Sequence, residues 1–184
     1  MNEGKKFETN FKKSVPNNMY YFRVKDPAIA FNQSDNQSNI RFSPKNPYDS
    51  FLFYISNLFP LELKSTSSTS ISIQKSKDEK SKMIKIHQIR GLQDANNFEG
   101  ILAGFVFDFR TSDNTYYMSI SNFMKFLNNV NKKSINEKDI LEYGGFIIEK
   151  KIKKVNYTYD IKNMIENIIS RKGEKESNNE IWRF

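Results

Sequence analysis

An acidic and a basic side chain stand two residues apart in the stretch Leu61–Lys64, which reads LELK. If this stretch is a β-strand, Glu62 and Lys64 project from one face and the two leucines point to the other. A carboxylate and an ammonium group presented together can orient or deprotonate a water molecule. The same pair on an exposed strand is more often a solvated ion pair with little effect on stability. The neighbouring elements must therefore decide between the two interpretations.

A β-hairpin could bring a second carboxylate to the same face. The runs DSFLFYI and LFPLELKS are apolar and are separated by a short polar step at Ser56–Asn57, which is typical of two antiparallel strands. With the turn centred on that step, the register predicts Asp49 opposite Lys64 and Phe51 opposite Glu62. Diagonal neighbours on such a ladder are about 7–8 Å apart, so two carboxylates could hold one hard cation between them.

Composition and charge narrow the classes of function. The 184 residues suffice for one domain with a core, and the high aromatic fraction of 14% supplies large side chains for it. The absence of cysteine excludes disulfide scaffolds, thiolate nucleophiles and cysteine-bound zinc, and the single histidine, His87, excludes a multi-histidine metal site. A formal net charge of +8 favours a polyanion, above all nucleic acid, although heavy use of Lys, Asn and Ile weakens this argument. Because the sequence shows neither an apolar leader nor a membrane span, we expect a cytoplasmic protein without membrane attachment.

Hydrophobic periodicity predicts an α/β order of elements around the hairpin. A helix at Glu3–Val15 and a strand at Met19–Val24 precede a polar stretch, residues 27–46, that we expect to form a long loop or projecting arm. We expect one domain over residues 1–171 and a polar tail over residues 172–184. The remaining predicted elements are a strand at Ser70–Ile73, a helix at Met83–Asn97, strands at Gly100–Phe109 and Tyr116–Ile120, a helix at Ser121–Val130 with Ser121 as N-cap, a helix at Ile135–Tyr143, a strand at Phe146–Val155, and a helix from Asp160 through Ile169.

The order of these features resembles the PD-(D/E)xK nuclease superfamily. A Pro-Tyr-Asp turn at Pro47–Asp49, a short hairpin, the LELK strand and a downstream helix with Gln88 follow one another as in that superfamily. Within it, the chain is similar to RecU-type Holliday junction resolvases, which include phage-borne relatives, over most of its length. The segments that carry the similarity are Gly4–Glu8, Leu61–Thr66 with the Ser-rich strand after it, His87–Ile89, Thr115–Tyr117 and Lys132–Ile135.

This resemblance implies a restriction-endonuclease-like α/β fold with a mixed central β-sheet flanked by helices. It also implies a homodimer that nicks four-way DNA junctions with Mg²⁺, which Mn²⁺ could replace, in DNA recombination and repair, where other recombination proteins are possible partners. Asp49 and Glu62 match the metal-binding carboxylates, with the Leu63 carbonyl as a further ligand. Lys64 matches the catalytic lysine, and Gln88 matches a residue that supports the site from the helix.

An acid in the first helix is a further metal ligand implied by the resemblance. Glu8 matches that acidic position, although a solvated helix acid explains it equally well. For DNA contact we select residues near the motif-bearing segments or within the predicted arm, and His87 suits this role better than general-base catalysis because no nucleophile accompanies it. The selected residues are Arg41, Lys45, Lys85, His87, Arg90, Lys132 and Lys133.

Two further segments have ordinary structural interpretations. The Lys-rich run from Lys150 to Lys154 is typical of a solvated strand edge. The Phe-rich stretch around Phe123 and Phe126, together with Ile147, is expected to form core or an apolar dimer interface.

Two other functions remain open from the sequence. One is a nuclease of the same superfamily that cuts duplex DNA in restriction or repair. The other is a basic, non-catalytic nucleic-acid-binding module in which Glu62 and Lys64 form only a salt pair.

The predicted arm at residues 27–46 differs from the basic stalk that is usual in RecU-type proteins, because Arg41 and Lys45 are its only cations.

Overall fold

The computed structural model describes residues 3–25, 46–76, 78–79 and 81–180. The predicted arm at residues 27–46, apart from Asn46, lies outside the described residues, as does the end of the predicted tail at residues 181–184. The helices are α1 (Glu3–Ser14), α2 (Ile86–Asn96), α3 (Ile120–Asn129), α4 (Glu137–Glu142) and α5 (Ile161–Glu180). The strands are β1 (Tyr20–Arg23), β2 (Ser50–Tyr54), β3 (Asn57–Thr66), β4 (Ser70–Ser72), β5 (Gly104–Phe109), β6 (Asn114–Ser119), β7 (Ser134–Asn136), β8 (Phe146–Ile147), β9 (Lys150–Lys153) and β10 (Asn156–Tyr159).

A six-stranded sheet in the order β1-β2-β3-β5-β6-β8 forms the centre of the fold. Strands β3 and β5 are parallel and the other neighbours are antiparallel, so the sheet is mixed. Helices cover both of its faces, and the α/β class expected from the sequence is confirmed. Two small antiparallel pairs, β9–β10 and β4–β7, flank the sheet. Within the described residues, no helix is long and apolar enough to cross a membrane.

The two faces of the sheet carry separate hydrophobic cores. Helices α1 and α5 pack Phe11 and Ile165 on one face, against β3 and β5 side chains such as Leu61. Helices α2 and α3 pack on the other face, where Leu92 and Phe123 meet β5. We call these the α1 face and the α2 face. Side chains alternate between them along β3, so Glu62 and Lys64 lie on the α2 face.

The Phe-rich helix α3 contributes to the core, which is the first of the two roles expected for it. Phe123 and Phe126 are fully buried against the protein's own sheet. Their ring contacts with Phe105 and Tyr143 are internal to the domain. Of the three residues, only Ile147 is exposed.

The β2–β3 hairpin forms as predicted, but its register differs by two residues. Ile55 and Ser56, with φ of 43° and 59°, make a two-residue turn in the left-handed region, and Ser50 pairs with Leu61. The prediction centred the turn one residue later because neither residue is a usual left-handed turn former. A shift of two residues keeps every side chain on its face, so extension of the ladder places Asp49 opposite Glu62 instead of Lys64.

Several predicted boundaries also need correction. Helix α2 begins at Ile86 because Ile84 is extended and bridges Ile73. Helix α3 is capped by Ser119, whose hydroxyl accepts a hydrogen bond from Asn122 N–H, and Ser121 lies inside the helix. The predicted strand at Phe146–Val155 divides into β8 and β9, and α5 continues past Ile169 to Glu180.

Candidate active site

Glu62 occupies the middle of β3 and has no solvent exposure. Strand β5 pairs with it on one side, the segment just before β2 lies on the other, and Gln88 of α2 contacts it. Lys64 lies two residues further on the same face, with 14% of its side chain exposed. Its Nζ is 2.6 Å from Glu62 Oε1. The acid and base predicted to share one face therefore form a direct ion pair at the edge of the core.

Asp49 reaches the site from the segment just before β2. Its Oδ2 accepts a hydrogen bond of 2.8 Å from the Leu63 N–H, which fixes the carboxylate beside Glu62. The even-numbered residues of β3 direct their backbone groups toward β5, as the bonds at Leu58 and Thr66 show. Leu63 therefore directs its N–H and its carbonyl to the opposite side, past the end of the β2–β3 ladder and toward Asp49.

Gln88 joins the site from the first turn of α2. Its side-chain Oε1 accepts a hydrogen bond of 2.9 Å from the Lys85 N–H, and its Nε2 donates to Glu62 Oε1. The bond to the backbone sets the orientation of the amide, so its NH₂ group must point at Glu62. Gln88 thus holds the Glu62 carboxylate from the helix, and its role in catalysis stays a prediction.

The contact between α2 and the Asp49 segment depends on Gly91, which the sequence analysis did not select. A Cβ at this position would lie 2.5 Å from Pro47 Cβ and 2.7 Å from the Pro47 carbonyl oxygen. Only glycine allows the helix to approach the backbone this closely. Gly91 thereby sets the distance between Gln88 and the segment that carries Asp49. A glycine one helical turn after Gln88 was the only signal for this in the sequence.

Burial makes the ionised form of Glu62 unfavourable even with the Lys64 ammonium beside it. Burial raises the pKa of Glu62 to about 8; Lys64 opposes this rise, while the nearby Asp49 carboxylate adds to it. Glu62 Oε2 is buried and has no hydrogen-bond partner within the described part of the chain. The side of Oε2 is therefore the position at which a further cation would compensate the charge of the ionised carboxylate.

These donors fit a hard divalent cation. Two carboxylates and the Leu63 carbonyl are oxygen ligands, and Mg²⁺ commonly takes one or two carboxylates and keeps several water molecules. A cation beside Oε2 would supply the partner that this atom lacks and would favour the ionised form of Glu62. Across the described residues, no group of three or more His, Cys, Asp or Glu side chains could hold a metal ion, so water would have to complete the coordination.

Glu8 lies apart from this group of ligands. Its Oε2 accepts a 2.8 Å hydrogen bond from Arg23 Nε and also lies 2.8 Å from an Arg23 Nη atom. A fork of this kind satisfies the carboxylate and connects α1 to β1. Its predicted role as a metal ligand stays a prediction.

The residues predicted to contact DNA have different surroundings. Lys132 Nζ is 2.6 Å from Asp139 Oδ1, and Lys133 is 3.6 Å from Glu79. Arg90 is exposed on α2, while Lys85 and His87 lie beside the first turn of that helix, close to Gln88. Arg41 and Lys45 fall outside the described residues.

A second polar cluster lies on the α1 face, and the sequence analysis missed it. Asp108 accepts hydrogen bonds from Ser65 and Thr115, and Lys150 lies 3.5 Å from it. Lys150 also contacts Asp113 at 2.8 Å, and only 8% of its side chain is exposed. Its interpretation as part of a solvated edge is therefore wrong, because two carboxylates and an aromatic ring, that of Tyr157, surround the ammonium group.

Comparison with known proteins adds independent information. Residues 62–163 match the model of the RecU family, described as recombination protein U, and this range includes Glu62, Lys64 and Gln88. The chain is 34% identical over 189 residues to the SPbeta prophage-derived uncharacterized protein YotM of Bacillus subtilis (strain 168). This alignment covers 95% of the present chain and 91% of that protein. Among solved structures, Hjc of Archaeoglobus fulgidus, a Holliday junction resolvase, aligns with a TM-score of 0.47 at 11% identity, over 78% of this chain and 91% of that one.

Proposed function

Because the chain belongs to the family of recombination protein U, we propose that it is a divalent-metal-dependent endonuclease that resolves four-way DNA junctions. The observation that carries this proposal is the meeting of Asp49, Glu62, Lys64 and Gln88 around a buried carboxylate oxygen that has no hydrogen-bond partner among the described residues. A purely structural ion pair would not require a second carboxylate beside it, since like charges at close range destabilise the fold.

Asp49, Glu62 and the Leu63 carbonyl would hold Mg²⁺, or Mn²⁺ in its place. When bound, such a cation supplies a nucleophilic water near neutral pH and neutralises charge that develops on the phosphate. Gln88 holds one oxygen of Glu62, which leaves Oε2 for the ligand position. The hydrogen bond from Leu63 N–H performs the same function for one oxygen of Asp49. The chain therefore orients both carboxylates before a ligand arrives.

Lys64 supplies the mobile proton donor of the proposed site. Its ammonium group is held at Glu62 and retains partial contact with solvent. From this position it can donate a hydrogen bond to a phosphate oxygen or orient the attacking water. Lysine suits this role because a compact ammonium on a flexible stem can exchange partners during the reaction.

We propose that the active species is a homodimer. Resolution of a four-way junction requires two nicks on strands of like polarity, and the described residues form one carboxylate pair of this kind. An isologous dimer supplies two sites related by the two-fold symmetry of the substrate. Sedimentation should report roughly twice the chain mass of 21.7 kDa. Mixed dimers of wild-type and Glu62→Ala chains should nick one strand only, and a monomer that makes both nicks in one encounter would contradict the dimer.

The proposed activity is tested with labelled four-way junction, duplex and single-stranded DNA, each with and without Mg²⁺. We expect Mg²⁺-dependent nicking of the junction, loss of nicking in Glu62→Gln, and unchanged nicking in Glu166→Gln, an exposed control on α5. Equal cleavage of duplex and junction would indicate a nuclease of another specificity. DNA binding without cleavage under any metal condition would indicate a non-catalytic module.

A further inference from the structure

Four aromatic side chains form an exposed surface on β1 and β2, which we call the aromatic face. Tyr20, Phe22 and Phe53 are 59%, 41% and 48% exposed, and Phe51 is half-buried between them. The rings of Phe22 and Phe51 are stacked at 5.3 Å between centroids, and Tyr20 contacts the same Phe51 ring. Exposed apolar groups of this size, gathered in one patch, mark an interaction surface on soluble proteins.

The strand register places all four rings on one side of the sheet. Tyr20 pairs with Phe53, and Phe22 pairs with Phe51, which in turn lies opposite Pro60. Because Pro60 and Glu62 are two residues apart on β3, the aromatic face belongs to the α2 face of the sheet. The aromatic face therefore shares one surface with Asp49, Glu62 and Lys64, the catalytic group of the proposed site. The opposite side of these strands packs Leu52 and Tyr21 into the core, so the rings are not needed to bury the hairpin.

The distance from Asp49 to the aromatic face is similar to the length of one or two nucleotides in a bound DNA strand. Phe51 follows Asp49 by two residues, which is about 7 Å along a strand. Successive nucleotides in one strand of a duplex rise about 3.4 Å, so the first or second nucleotide from a phosphate at Asp49 would lie over Phe51 and Phe22. Two exposed cations belong to neighbouring segments, Lys25 just after β1 and Arg90 on α2, which covers the same face.

We infer that the aromatic face stacks unpaired bases of the branched DNA next to the phosphate to be cleaved; this inference rests on the proposed function. Aromatic side chains on an open sheet bind bases through their ring faces, which every base presents. Bases at a branch point can leave their stack more easily than bases within a duplex, so this surface would favour branched over fully paired DNA. A second protein chain on the same surface would stand within two residues of Asp49 and obstruct the approach of the substrate, which disfavours a dimer contact here.

The test is DNA binding without cleavage, measured in EDTA. Three probes are used: a four-way junction with 2-aminopurine beside the branch point, oligo-dT, and a duplex of the same length. The variant is Phe22→Leu with Phe53→Leu, which keeps apolar volume but removes the rings. Phe98→Leu is the matched control because Phe98 is exposed in the turn after α2 and belongs to neither β1 nor β2. The variant Phe22→Trp preserves an aromatic ring.

We expect the double variant to weaken binding of the junction and of oligo-dT by about fivefold or more, since loss of one base–aromatic stack costs about 1–3 kcal/mol. Quenching of 2-aminopurine should be lost, duplex affinity should change less than about twofold, and Phe22→Trp and Phe98→Leu should behave as wild type. Unchanged junction affinity, or an equal loss for duplex, would overturn the inference. Dissociation of a dimer in the double variant would also overturn it and would assign the surface to a second copy.

This experiment separates the inference from the proposed function. If wild-type protein nicks junctions and the leucine variants bind them normally, only the role of the aromatic face is wrong. If the variants lose junction binding but wild-type protein never nicks DNA, only the nuclease proposal is wrong.

Discussion

Substitution of Gly91 by alanine tests whether the spacing of α2 controls the candidate site. The added methyl would lie 2.5 Å from Pro47 Cβ, whereas ordinary contact begins at 3.4 Å, so helix and segment must separate by about 1 Å. That movement displaces Gln88 from Glu62 and Asp49 from Leu63. A misplacement of about 1 Å can lower a reaction rate by about 100-fold. The effect on stability should be smaller, because overpacking costs about 1–3 kcal/mol and alanine is favoured over glycine within a helix by up to about 1 kcal/mol.

The assay for this variant is single-turnover nicking of a four-way junction over a series of Mg²⁺ concentrations, with thermal unfolding measured in parallel. We expect Gly91→Ala to need more Mg²⁺ and to nick about 100-fold more slowly at saturation, while it stays folded and binds DNA normally. Asp94→Ala is the control, because this residue is exposed on the same helix. A Gly91→Ala protein with the wild-type rate and Mg²⁺ dependence would refute the argument that this contact sets the site geometry.

Four further outcomes are expected. Asp49→Ala, Glu62→Ala and Lys64→Ala should each abolish junction nicking while gel-shift affinity without metal stays nearly unchanged, because affinity depends mainly on phosphate contacts elsewhere. Burial raises the pKa of Glu62 to about 8, so the stability of the metal-free protein should fall as pH rises from about 4.5 through 8. Glu62→Gln should remove this pH dependence in denaturant unfolding. Ser119→Ala should cost about 1 kcal/mol in the same measurement through loss of the α3 N-cap, with no change in nicking. Replacement of residues 27–46 by a Gly-Ser linker should leave a folded protein that discriminates junction from duplex less well, and unchanged discrimination would reduce that segment to a tolerated loop.

The placement of the site residues on one face of the sheet was predictable, because it depends only on the alternation of side chains along a strand and on an even number of residues in the hairpin loop. A strand alternates its side chains strictly, so Glu62 and Lys64 share a face in any register. Asp49 joins them whenever the hairpin loop has an even number of residues. The predicted register was wrong by two residues, and an error of two residues leaves Asp49 on the same face as Glu62. Periodicity was equally sufficient for α1 and α3, where long apolar stripes pack on the sheet.

Features that depend on contacts between distant segments were not predictable. The turn at Ile55 and Ser56 forms in the left-handed region without the Asn-Gly pair that usually signals it. The helix expected at Met83 starts later because Ile84 pairs with Ile73, which is a tertiary contact. The burial of Lys150 depends on Asp108, which is 42 residues away and projects from a strand that reads as continuously apolar. Local patterns carry no information about such partners.

The cluster around Asp108 serves as an internal comparison for the candidate site. Asp108 and Glu62 are both buried carboxylates on the adjacent parallel strands β5 and β3, and they face opposite sides of the sheet. Asp108 has hydrogen bonds to both oxygens and a cation beside it, as the cost of burying a charge requires. In the part of the chain that the structure describes, Glu62 has one oxygen without a hydrogen-bond partner and a second carboxylate as its neighbour. Since the same sheet satisfies one buried acid completely, the incomplete environment of Glu62 is not a general consequence of burial in this fold. It is the environment expected where a ligand completes the site.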